Sequence, residues 1–253
     1  MNDRTKRNNF GILSKDYDAA RRGYPKELFA YLKKLVPGKH LKVLDIGCGT
    51  GISTRQLKER GFSVTGVDKD QAMVAIARQK TSDILYVVTD VHKLPFDNEE
   101  FDLITAFTSF HWFTDRKSTT EIKRVLKRGG VFFTVWKKSS KSKSERVRNL
   151  GIVYNAILEK YFGDNSDSAR NYNPEAILKK NNFTNIKVKS FYFQEKYTLQ
   201  NAMTLVKSIS NWNLLKEDLR PKFLKNIEDL YKKNLVGGFV IKNREAKVVL
   251  GTK

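Results

Sequence analysis

Residues 41–58 constrain the fold more than any other stretch. The apolar run 41–46 reads as a buried strand and carries one acid, Asp45, near its carboxyl end. Gly47, Gly49 and Gly51 follow at alternate positions, and Ile52-Ser53-Thr54-Arg55-Gln56-Leu57-Lys58 then opens a helix. Glycine permits positive φ and lets a ligand approach the backbone. The N–H groups at a helix start have no intrahelical partner and favour a polar or anionic ligand. A strand, a glycine turn and a helix start in this order predict a nucleotide site.

Spacing narrows the nucleotide. The dinucleotide fingerprint is G-x-G-x-x-G, with its third glycine packing helix on strand over a pyrophosphate. Here the third glycine falls one residue early, and an acid precedes the first glycine by two residues. A carboxylate there repels a pyrophosphate and suits an ammonium group. Phe62 to Asp68 reads as a second strand ending in an acid, near the roughly 20-residue offset expected of a ribose-binding carboxylate. A carboxylate accepts two ribose hydroxyls at once. Lys69 and Asp70 follow, with Asp70 predicted to N-cap the next helix. Ile84 to Val88 is a third strand, followed by Thr89-Asp90-Val91-His92-Lys93-Leu94-Pro95-Phe96. Phe101 to Phe107 is a fourth, followed by Thr108-Ser109-Phe110-His111-Trp112-Phe113. Four chemistry-bearing stretches in order at strand carboxyl ends mark where open α/β sheets bind ligands.

Val43-Leu44-Asp45-Ile46-Gly47-Cys48-Gly49-Thr50-Gly51 resembles motif I of the class I S-adenosylmethionine-dependent methyltransferases, and residues 89–96 resemble that family's G-D-[AV]-x-x-L-P-F, with Thr89 replacing the usual Gly or Ala. S-adenosylmethionine has an ammonium group, a ribose and an adenine, and no phosphate. The resemblance implies that Asp45, Gly47, Cys48, Gly49 and Gly51 line the cofactor. It implies that Asp68 meets the ribose and that Lys69 also lines the cofactor, that Met73 offers an apolar contact to the adenine, and that Asp90 and the Val91 N–H read the adenine edge. Cys48 is read as a small residue that fits a tight turn, not a catalyst. Phe10-Gly11, then Tyr17 to Phe29, together with Ser109 to Phe113, is similar to methyltransferases like trans-aconitate methyltransferase within the type 11 methyltransferase domain family, with Arg22 replacing a usual proline. That likeness implies an N-terminal segment closing over the cofactor, with Tyr17 and Arg21 near the methyl group or the acceptor. The alternative for this segment is that Tyr24-Pro25 merely starts a helix and Tyr17 packs in the core.

Periodicity predicts strands near 42–46, 63–67, 84–88, 101–107 and 130–136. Helices are predicted near 52–60, 70–80 and 116–128, the last ended by Gly129-Gly130. Further helices are expected near 145–162, 174–181, 199–209 and 217–234, and strands near 185–193 and 240–250. Repeated βα units imply an α/β chain with a parallel sheet. The resemblance adds a Rossmann-like class I methyltransferase fold. Its sheet is seven-stranded and mostly parallel in the order 3-2-1-4-5-7-6, with helices on both faces and a helical cap. The expected organisation is a single domain over 1–253. Within it, 1–35 form an N-terminal lid and helix, 36–136 the cofactor-binding core, and 137–253 the acceptor side with a helical insertion at about 195–236.

Methyl transfer from a sulfonium is an in-line displacement that demands mainly alignment and exclusion of water. Aromatic faces suit the sulfonium charge, and Phe107, Phe110, Trp112, Phe113 and Tyr17 are the candidates. A protonated acceptor needs a base, for which His111 is placed, whereas a carboxylate acceptor needs none. The competing role for His111 is a packed ring that orients its loop.

The 253 residues carry a formal charge of +21. The run Lys137 to Arg148 is strongly basic and follows the fifth strand. It is read as attracting an anionic small-molecule acceptor, as steering RNA, or as a compositional surplus of solvated lysine. A small organic acid methylated on oxygen is the expected acceptor. An RNA-directed methyltransferase and a non-catalytic S-adenosylmethionine-binding protein are the alternatives, and the amino-methylating run [DNS]-P-P-[FYW] is absent after the fourth strand. An NAD-linked oxidoreductase is disfavoured by the glycine spacing. One cysteine cannot form an internal disulfide, and no Cys/His cluster has metal-ligand spacing. No apolar stretch reaches a membrane span, and no hydrophobic region follows the first charges. The expectation is a cytoplasmic, metal-free protein.

Overall fold

The computed structural model describes residues 18, 20–38, 41–163 and 172–253. Seven strands form one sheet in the order β3-β2-β1-β4-β5-β7-β6, as expected. They are β1 (Lys42–Ile46), β2 (Ser63–Asp68), β3 (Leu85–Val88), β4 (Phe101–Phe107), β5 (Leu126–Ser139), β6 (Thr184–Tyr197) and β7 (Val240–Thr252). β1 pairs in parallel with β2 and β4, β2 with β3, and β4 with β5. Bonds linking Gly129 to Lys253 and Ser140 to Asn243 run β7 antiparallel to β5.

Local chemistry sets the element ends. Asp70 caps the helix Gln71–Lys80 by accepting from the Ala72 and Met73 N–H groups, which fulfils its predicted role. Asp115 caps the helix Arg116–Val125 in the same way through Ser118. That helix stops short of its predicted end at 128. Leu126 is already extended and pairs with Phe101, and a register shift follows between Phe101 and Leu103. Gly129, at φ +74°, is a bend inside β5 rather than a helix end. Its N–H donates to the Lys253 carbonyl, and Gly130 accepts from the Lys253 N–H.

The chain groups into two compact units. The larger comprises Gly23–Lys138, Asn171–Phe191 and Glu245–Lys253. Its core gathers Leu44, Ile46, Ile104, Phe110, Phe132 and Val249, which are all but closed to solvent. The smaller comprises Met1–Arg22, Ser139–Arg170 and Tyr192–Arg244. Helices Glu145–Phe162, Leu199–Lys207 and Arg220–Lys233 pack there around Phe223, Ile227 and Tyr231. No described helix is long and apolar enough to cross a membrane.

Candidate functional site

The carboxyl ends of β1, β2, β3 and β4 lie side by side in the larger unit and carry most of the residues expected to act. The glycine turn is held mainly by β2. The Gly47 and Cys48 N–H groups donate to the Val67 carbonyl at 2.8 and 3.0 Å, and Gly51 donates to the Cys48 carbonyl at 2.9 Å. Gly49 donates to Asp68 Oδ2 at 2.8 Å. Three of these four N–H groups are spent on β2 and one within the turn, so it offers no nest of donors to a pyrophosphate. Gly47 needs to be glycine twice over: its φ is +68°, and a Cβ would sit 2.5 Å from that of Ser109. Gly49 differs, because a Cβ there would meet nothing within 4 Å among the described residues. Its α-carbon faces open space.

Asp45 corrects one expectation. It is closed to solvent, and its carboxylate accepts from Ser53 Oγ (2.8 Å), Thr54 Oγ1 (2.7 Å) and Thr105 Oγ1 (2.8 Å). Burial pushes its pKa up to about 6 against the lowering effect of those hydroxyls. An acid enclosed by three donors ties β1, β4 and the following helix together. It leaves no open face for the direct ammonium contact expected of it.

Asp68 is half-buried, and burial raises its pKa while two N–H groups oppose the shift. Oδ2 takes the Gly49 N–H and Oδ1 takes the Asp70 N–H at 3.0 Å. Each oxygen has a second acceptor position, so the fixed carboxylate fits a pair of vicinal hydroxyls. The Thr89 N–H donates to the Asp68 carbonyl, which sets the next loop alongside. Asp90 there is exposed, and Oδ1 accepts the His92 N–H at 2.8 Å, which helps hold its pKa down. The His92 ring bridges Asp90 to Asp115. Val91 packs against the core, and Lys69 is exposed. Together Gly49, Asp68 and Asp90 fit a ribose and an adenine edge.

Two apolar expectations change. Met73 is 3% exposed, so it is a core residue with little surface for an adenine. Phe107 is also buried, and its ring centroid lies 4.8 Å from Tyr24 and 5.7 Å from Phe29. Phe110 and Phe113 are buried too, so these three rings are enclosed by the core rather than presented to a sulfonium.

His111 lies on the 3-10 turn Phe110–Trp112. Its ring centroid is 4.6 Å from both Trp112 and Trp136 and 5.8 Å from Tyr172. Burial lowers its pKa to about 4, so the ring is neutral near pH 7. Its buried Nδ1 has no hydrogen-bond partner among the described residues. A neutral ring with an uncommitted nitrogen suits a hydrogen bond to a ligand better than it suits taking up a proton. Buried Cys48 has its thiol pKa raised well above normal by burial, which makes it unreactive.

The sequence reading missed several residues here. Ser109 Oγ donates to the Ile46 carbonyl at 2.7 Å and closes the turn from behind. Thr108 sits at φ +53°, a strained position for a β-branched residue. Its Oγ1 bonds Tyr24 Oη at 2.8 Å and accepts the Lys137 N–H at 3.2 Å. A β-branched residue just past β4 was the available signal, but its backbone angle is invisible in sequence. Tyr17 lies outside the described residues. Arg21 belongs to the smaller unit, where its Nη2 donates to the Ser208 carbonyl at 3.3 Å. Among the described residues, no three His, Cys, Asp or Glu side chains gather as a metal site.

Comparison with known proteins agrees with this geometry. Residues 44–134 match the family model described as a methyltransferase domain. An uncharacterized methyltransferase of Mycobacterium tuberculosis is 31% identical over 147 residues, 57% of this chain and 58% of that one. A malonyl-[acyl-carrier protein] O-methyltransferase of Salmonella typhimurium is 32% identical over 123 residues, 48% of this chain and 49% of that one. These matches span about half the length of the curated relatives. A solved structure of a putative type II methyltransferase from Anaeromyxobacter dehalogenans superposes with a TM-score of 0.65, covering 92% of this chain and 97% of that one. At 17% identity that likeness speaks to fold alone. Residues 44–134 are therefore similar to the class I S-adenosylmethionine-dependent methyltransferases.

Proposed function

We propose that the protein transfers a methyl group from S-adenosylmethionine to an oxygen of a small organic acid. One observation carries the cofactor half: the Asp68 carboxylate is fixed by the Gly49 and Asp70 N–H groups beside a glycine α-carbon that faces open space. S-adenosylmethionine supplies an activated methyl group on a sulfonium. Asp68 holds the ribose hydroxyls, and Asp90 with the Val91 backbone reads the adenine. Asp45 acts indirectly, by fixing the turn through Ser53, Thr54 and Thr105. An acidic acceptor is already ionised near neutral pH and needs no base. This matches His111, whose pKa near 4 makes it a weak base and whose unpartnered Nδ1 suits an orienting hydrogen bond. The malonyl-[acyl-carrier protein] enzyme of Salmonella is an O-methyltransferase by name and lends support to an acyl oxygen as acceptor. The basic residues Lys141, Lys143, Arg146 and Arg148 are exposed, as a solvated surface would be.

The test is transfer of labelled methyl from S-adenosylmethionine to a panel of organic acids, phenols and total RNA. The proposal expects label in one or more organic acids. Label in RNA alone overturns the acceptor class, and label in phenols alone returns His111 to the role of base.

A further inference from the structure

The smaller unit holds a charged and phenolic cluster that the proposed reaction has not used. Lys242 and Arg244 are two residues apart on β7, so their side chains leave the same face of the strand. Lys242 is 9% exposed. Its Nζ donates to Tyr231 Oη at 2.9 Å and lies 4.3 Å from the centre of the Tyr154 ring. The Tyr154 and Tyr231 rings stack, with centroids 6.1 Å apart. Arg244 Nε donates to Glu195 Oε2 at 2.7 Å, and Tyr197 Oη donates to the same oxygen at 2.9 Å.

The charges in this cluster do not balance around Lys242. Glu195 is committed to Arg244 and Tyr197. Among the described residues, no carboxylate lies within ion-pairing distance of the Lys242 ammonium. Burial and the Arg244 charge lower its pKa to about 7, and Glu195 only partly opposes them. A buried ammonium without a counter-ion is costly, and an apolar side chain of similar length would fill the place more cheaply. An ammonium has three donors, and one is used. Many of the chain's other lysines stand in solvent, Lys141 and Lys143 among them, so this interior position is not explained by surplus surface charge.

We infer that Lys242, with Tyr231 and Tyr154 beside it, forms an anion subsite in the smaller unit that holds the carboxylate of a small molecule. Lys242 supplies two further N–H donors, and Arg244 adds positive potential along the same strand face.

Selective isotope labelling of lysine at Cε and Nζ allows the Lys242 amine to be titrated by NMR in the full chain. Lys242→Arg assigns its signal by deletion, and a guanidinium at this position keeps the charge. Succinate is the probe and succinamide its neutral control. Succinate is expected to raise the Lys242 midpoint by about one unit, as a bound opposite charge does, while succinamide leaves it in place. A midpoint unmoved by succinate, or moved equally by succinamide, overturns the subsite. Calorimetric binding of S-adenosylmethionine to the same sample reports separately on the cofactor site. Bound cofactor with an unmoved Lys242 removes the subsite alone. Failure of the cofactor to bind removes the proposed reaction, whatever Lys242 does.

Discussion

The two units treat buried charge in opposite ways. In the larger, the buried acid Asp45 meets three hydroxyls, and each oxygen of half-buried Asp68 meets an N–H. In the smaller, Lys242 and Arg244 share one strand face and only Arg244 has its carboxylate. The first arrangement is satisfied from within and leaves a few acceptor positions for hydroxyls. That is what a preorganised site for an uncharged ribose requires. The second keeps donors in excess. The first suits the proposed cofactor cradle, and the second suits the proposed anion subsite.

The sharpest way to break the cradle is Gly47→Val. The new side chain must take φ +68° and displace Ser109, combining αL strain with overpacking. Stability should fall by about 3 kcal/mol, read from denaturant unfolding. A change below the scatter of the fit would mean that the turn is not closed by Ser109. Asp68→Ala should weaken S-adenosylmethionine by roughly 1–3 kcal/mol, or about 5- to 150-fold by calorimetry, the cost of losing charged hydrogen bonds. Unchanged affinity would take Asp68 out of the ribose site.

A third variant tests the neutral ring. The folded-state pKa of His111, near 4, lies below its unfolded value, so the folded state binds fewer protons between the two. Its contribution to stability is present above about pH 6.5 and is lost as pH falls towards 4. Wild type should therefore lose about 2 kcal/mol more than His111→Gln between pH 7.5 and pH 5. Equal losses in the two proteins would mean that the imidazole titrates normally. The smallest effect is expected at Cys48. Cys48→Ala should shift cofactor affinity by less than about twofold, since the thiol makes only a long contact to the Gly49 carbonyl. A large loss would give the thiol a role in the site.

Much of the cradle was legible because its signals are local. An apolar run, three glycines at fixed spacing and Asp70 before a helix lie within a few residues of what they determine. The partners of Asp45 were not legible, because Thr105 joins it from 60 residues away, across the β1–β4 pairing. The acid therefore read as a ligand contact. Met73 and Phe107 read as lining residues because one follows β2 closely and the other ends β4, while their burial depends on packing no spacing records. Gly129-Gly130 looked like a helix end because Leu126-Lys127-Arg128 continues the helical pattern. Pairing of Leu126 with Phe101 overrode it. The Lys242 cluster was invisible in sequence, where Tyr154, Glu195, Tyr231 and Lys242 are scattered over 88 residues and only folding brings them together.

The central claim is that the glycine turn with Asp68 takes S-adenosylmethionine rather than a dinucleotide. Calorimetric titration of the purified protein with S-adenosylmethionine and, in parallel, with NAD tests it most directly. Binding of S-adenosylmethionine on the order of micromolar, with NAD far weaker, is the predicted result. NAD binding as tightly or more tightly would contradict it.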